Sequence, residues 1–136
     1  MHVFFLPIQS RFVVNVPAQL LGRIFLAIPF LVFGLMHFMG ADQMAGMVPA
    51  WVPGGVFWVY FTGAAQVAAG GAFLTGKKMK LAGQLSALLV LIYILTIHLP
   101  GLMGAADAAA GQMSMMALLK DCGLIGGALL AAHNAE

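Results

Sequence analysis

Four long apolar runs, residues 18–39, 56–75, 81–99 and 113–132, take up most of the 136-residue chain. Each is close to the roughly 20 residues that a helix needs to cross a hydrocarbon layer about 30 Å thick. Inside lipid every backbone N–H and C=O must find its partner within the protein, so only helices or a closed barrel can span. The runs do not alternate apolar and polar residues as barrel strands do. The sequence therefore predicts an all-α membrane protein, a single four-transmembrane-helix bundle over residues 1–136. Composition agrees: 62% of residues are hydrophobic and 7% charged, with a mean hydropathy of +1.02. Short connections leave no room for a soluble domain.

Basic residues set the orientation. Arg11 and Arg23 lie before and early in the first run, and Lys77, Lys78 and Lys80 lie between the second and third. The other two connections, residues 40–55 and 100–112, hold no Lys or Arg. By the positive-inside rule both termini and the 77–80 loop face the cytoplasm. Residues 1–17 lack the basic start and small-residue cleavage site of a signal peptide, and Pro7 and Pro17 interrupt a helix. They read as an interfacial lead-in to a multi-pass protein of the bacterial inner membrane. Arg23 is expected to snorkel to headgroups. The 40–55 connection, with Pro49, Trp51 and Pro53, reads as a loop in the outer interface, and Trp51, Trp58 and Tyr60 as an aromatic belt.

Small residues mark where helices touch, because no hydrophobic effect drives association in lipid. Ala64, Ala65, Ala68, Ala69, Gly70 and Gly71 cluster in the second run, and Gly123 and Gly127 form a GxxxG in the fourth. These two runs are expected to pack closely, or one of them to form a homo-oligomer contact. Pro29 is expected to kink the first run. A single cysteine, Cys122, rules out an internal disulfide and a CxxC redox centre, and its apolar neighbours suggest a small core residue. A net charge of +2 offers nothing to nucleic acid.

The polar residues inside the runs are the candidates for function. His37 and His98 close the first and third runs on the outer side, and Tyr60 lies one turn into the second. At about 1.5 Å per residue, Lys120 and Asp121 lie about 10–12 Å inward from Met113, and Gln66 about 14 Å inward from Phe57. Neighbouring helical residues point about 100° apart, so Lys120 and Asp121 are expected to seek partners on other helices. Gln66 is a candidate for one of them, and His37 for Asp121 or a water. Two readings stand: a satisfied network that fixes helix register, or a site open to the outer side that binds a small molecule or moves protons. Haem or metal held by His37 and His98 is disfavoured, since no further ligand set accompanies them.

Arg23 and the run Phe33-Gly34-Leu35-Met36-His37-Phe38 resemble the first span of the DoxX-like family of small four-helix membrane proteins. Met47-Val48-Pro49, Trp51-Val52-Pro53 and Trp58-Val59-Tyr60-Phe61-Thr62-Gly63 resemble its first outer loop and second helix, and Ile97-His98-Leu99 the close of its third. The resemblance covers about residues 22–130. It implies a four-helix membrane fold and a link to redox systems: relatives include a subunit of a thiosulfate:quinone oxidoreductase and components tied to thiol or sulfur stress. Animal relatives act as assembly chaperones for receptors. Family members often carry a glutamate soon after the Thr-Gly pair, where this chain has Gln66. A proton-carrying carboxylate is thus missing there, and Lys120 and Asp121 are placed to supply charge instead.

The leading expectation is a redox-associated subunit, rather than a stand-alone enzyme, that binds a quinone-like or other lipophilic molecule in an outer-side cleft lined by His37, Tyr60, Gln66, His98, Lys120 and Asp121. The chain offers no redox group of its own, so electrons would need a partner protein or bound cofactor. The alternatives are a non-enzymatic assembly or scaffold protein and, further off, a small oligomeric transporter.

Overall fold

The computed structural model describes residues 16–135. The lead-in expected over residues 1–17 lies outside them, except that Val16 and Pro17 already belong to the first helix. The described residues form only helices and turns: α1 (Val16–Met39), α2 (Ala41–Ala45), α3 (Val56–Thr75), α4 (Met79–Tyr93), a π-helical turn (Ile94–His98), α5 (Leu99–Met103) and α6 (Ala108–His133). Among them, four helical stretches are long and apolar enough to cross a membrane: Ala18–Met39, Val56–Thr75, Met79–Met103 and Ala108–His133.

The third span overruns its expected end at Leu99. Pro100 has no N–H to donate and would crowd the carbonyl four residues back. The chain absorbs this in the wider π turn just before it, where the Leu99 N–H reaches back to the Ile94 carbonyl. The helix then continues to Met103. The fourth span starts earlier than residue 113, because the Asp107 carboxylate accepts from the Ala110 N–H at 2.8 Å and caps α6. The expected 100–112 loop shrinks to four residues.

Pairing follows the small residues, but not in the expected combination. α1 packs along α3, and α4 along α6, while α3 also borders α4. The second and fourth spans are not the close pair. Gly63 shows the reason for the α1–α3 contact: a Cβ there would lie 2.7 Å from His37 Cβ and 3.1 Å from the Gly34 carbonyl. Gly83 plays the same part for α4, whose backbone lies directly against the Ala128 carbonyl of α6. Gly123 of the GxxxG faces open space, and Gly127 meets only Leu26 of α1.

The seam where all four spans meet holds Ala27 and Phe30, Ala69 and Phe73, Ala87 and Val90, and Ala128. Phe30 and Phe73 meet ring to ring at 5.5 Å. The outward faces carry residues such as Phe25, Leu35, Leu85, Leu88 and Leu119, suited to lipid tails. Arg23 turns toward the neighbouring helix. It caps α3, donating from Nε to the Phe73 carbonyl at 2.8 Å and from Nη2 to the Leu74 carbonyl at 2.7 Å, two carbonyls that helix geometry leaves without donors. Cys122 is exposed on α6, not in the core.

Candidate functional site: a polar-ended cavity in the bundle

Beyond the Phe30–Val90 layer the two helix pairs diverge around a cavity of about 790 Å³. Pro29, Phe30 and Phe33 of α1 line one wall, and Leu89, Val90 and Ile97 of the third span another. The 40–55 connection borders its mouth, contributing Met44, Met47, Val48, Pro49, Trp51 and Val52. The loop is tied down where Trp58 Nε1 donates to the Pro53 carbonyl at 2.8 Å. Trp51 of this segment and Trp58 of α3 both belong to the cavity wall.

Polar side chains gather in this largely apolar chamber from every span. On one side, His37 Nδ1 lies 2.6 Å from the Phe33 carbonyl. A carbonyl only accepts, so Nδ1 carries the proton and Nε2 of the neutral ring is an acceptor. Gln66, 4% exposed, turns its amide nitrogen to both His37 Nε2 at 3.4 Å and Tyr93 Oη at 3.0 Å. The His37 and Tyr93 rings lie nearly parallel with centroids 6.3 Å apart.

On the other side, Asp121 is 2% exposed and uses both carboxylate oxygens. Oδ2 accepts from His98 Nδ1 at 2.6 Å, and Oδ1 pairs with Lys120 Nζ at 2.9 Å. Such charge-assisted bonds are short and strong. The lysine ammonium also sits 4.3 Å from the centre of the Phe33 ring, a cation–π contact that links α6 to α1.

Several expected pairings are corrected. Lys120 and Asp121 do meet, because the long lysine side chain bends back across the 100° that separates the two positions. Asp121 takes His98, not His37, as its partner, and Gln66 bonds His37 and Tyr93 rather than either charge. Tyr60 is outside the cavity; it packs on Phe38 at 5.8 Å, beside a separate small recess of about 190 Å³ near α2. Tyr93 is the tyrosine that the sequence reading missed. It stands five residues before His98, and a turn closed by i→i+5 bonds brings residues five apart roughly onto one face. The signal available was Pro100, which forces an irregular turn just upstream. The structure brings together His37, Gln66, Tyr93, His98, Lys120 and Asp121 at one cavity. Among the described residues no buried side-chain nitrogen or oxygen lacks a partner, and no three metal-ligating side chains converge.

The family described as Domain of unknown function (DUF8561) matches residues 26–120. The chain belongs to that family. The matched stretch contains His37, Gln66, Tyr93, His98 and Lys120. No curated protein and no solved structure matches the chain.

Proposed function

We propose that this chain is a membrane-embedded binding subunit for a quinone-like lipophile, held in the cavity with its polar head among His37, Gln66, Tyr93, His98, Lys120 and Asp121. The observation that carries the reading is the cavity itself, about 790 Å³ with apolar walls and a few convergent polar groups. That volume falls in the range of small-molecule sites, and apolar walls with sparse polar anchors are their usual lining. Histidine, tyrosine and glutamine side chains suit the carbonyl and hydroxyl oxygens of a quinone or quinol. The resemblance to DoxX-like proteins, some of which work with quinones, favours the same class.

Arg23, Lys77, Lys78 and Lys80 sit at the end of the bundle away from the cavity, and Asp42 and Asp107 at the cavity end. This asymmetry supports termini in the cytoplasm of a bacterial inner membrane and a cavity in the outer half. Electrons, where the function involves them, come from a partner protein. A second reading, an assembly or scaffold role through a homo-oligomer, draws on the open α6 face, where nothing lies within 4 Å of a Cβ added at Gly123.

The test is chemical. The protein is extracted gently from a quinone-containing membrane and its bound small molecules are identified by mass spectrometry. A quinone retained in near-equal amount with the chain, and lost in His98→Leu and Gln66→Leu variants that still fold, is expected. Protein carrying only bulk phospholipid would overturn the reading in favour of the scaffold role.

A further inference from the structure

Lys120, Asp121 and His98 form a row of alternating charge capacity that ends at a nitrogen with a lone pair. Asp121 gives one oxygen to each neighbour, at 2.9 Å and 2.6 Å. His98 Nδ1–H points to the carboxylate, so Nε2 of the neutral ring is an acceptor. Among the described residues Nε2 has no hydrogen-bond partner, yet no buried side-chain nitrogen there is left unsatisfied. Nε2 is therefore accessible, and His98 is part of the cavity wall.

We propose that the cavity takes a lipophilic weak acid, a phenolic or enolic hydroxyl on an aromatic or quinonoid ring, and holds it as the anion against His98. This deepens the quinone-like reading and rests on the cavity being a ligand site. The ligand O–H bond breaks, its electron pair stays on oxygen, and the proton forms a new N–H bond at His98 Nε2; nothing is oxidised or reduced. Before transfer the row is Lys⁺, Asp⁻ and neutral His; afterwards it reads Lys⁺, Asp⁻, His⁺, ligand⁻. Every charge then has an opposite neighbour, in surroundings where an uncompensated one is costly. The other titratable groups facing this end of the cavity are Tyr93 on the same span and His37 on α1, while α3 offers the neutral Gln66.

The test uses the full chain in detergent micelles and two probes, 2-hydroxy-1,4-naphthoquinone and its 2-methoxy analogue, which lacks the acidic proton. Tryptophan quenching reads binding and visible absorption reads the anion. At a pH at or just below its own pKa, where the free compound still carries its proton, the hydroxy probe is expected to bind at least about tenfold tighter than the methoxy probe, and to keep its anion band about one pH unit or more below the free compound, as a neighbouring cation requires. Equal saturable binding of both, with the hydroxy probe titrating as it does in empty micelles, overturns this inference and leaves the quinone-like reading standing. No saturable binding of either overturns both. A His98→Leu variant is expected to erase the preference, leaving both probes with the same, weakened binding; the comparison of probes on the unaltered chain holds even if that variant does not fold.

Discussion

The Asp121 carboxylate serves two partners, and they should not contribute equally. Side-chain hydrogen bonds inside membrane bundles couple by about 0.6 kcal/mol on average and about 1.7 kcal/mol at most, because the unfolded chain in lipid also finds partners. A charge-assisted bond is roughly twice as strong as a neutral one. The His98–Asp121 contact is short, at 2.6 Å, and both side chains are enclosed, at 18% and 2% exposed. Its coupling should therefore lie near the upper end, about 1.5 kcal/mol. Lys120 is the neighbour of Asp121 on the same helix, so their contact can persist when the spans separate in the micelle, and its coupling should stay at or below about 0.5 kcal/mol. Two double-mutant cycles measure both: His98→Ala with Asp121→Ala, and Lys120→Ala with Asp121→Ala. Unfolding in mixed micelles by SDS, followed by circular dichroism, supplies the free energies. A Lys120 coupling equal to or larger than the His98 coupling would refute the account of Asp121 as the group that orients His98.

Three further outcomes follow from the same geometry. Gly63→Ala places a methyl group 2.7 Å from His37 Cβ and should cost about 1–3 kcal/mol as an overpacked contact, whereas Gly71→Ala, with nothing within 4 Å, should be neutral or gain up to about 1 kcal/mol of helix propensity; SDS unfolding midpoints compare the two. Tyr93→Phe removes the acceptor of the Gln66 amide and should weaken quinone binding several-fold, while Tyr60→Phe, outside the cavity, should leave the binding isotherm unchanged. Arg23→Gln removes two bonds to the last carbonyls of α3 and should lower stability by about 1–2 kcal/mol without altering quinone affinity, which separates helix capping from the site at the opposite end.

Length and hydropathy made the four spans legible, since lipid allows so few alternatives. Depth was legible in part: counting along the helices put His37 and His98 at the outer ends and Lys120, Asp121 and Gln66 about 10–14 Å further in, and all five border the cavity, whereas Tyr60, counted with them, does not. Azimuth was not. Whether Lys120 meets Asp121 depends on how a long side chain bends, and whether His98 or His37 meets Asp121 depends on which helices pair. The pairing itself rests on single glycines that let backbones approach, Gly63 against His37 and Gly83 against the Ala128 carbonyl, and a one-dimensional count of small residues pointed to Gly123 instead. Tyr93 escaped because its facing depends on the π turn that Pro100 imposes. Asp107 is the opposite case, a cap residue ahead of an apolar run whose meaning was present in the sequence.

Intrinsic fluorescence offers the most direct measurement of the central claim, that the cavity is a binding site. Trp51 and Trp58 are the two tryptophans of the chain, and both line it. Titrating the protein in micelles with a short-chain quinone should quench this emission along a saturable curve that approaches one ligand per chain, with the affinity reduced in Gln66→Leu and His98→Leu. Quenching that rises linearly with quinone in the micelle, and is the same in those variants, would mean that the quencher meets the tryptophans only from the lipid, and would contradict it.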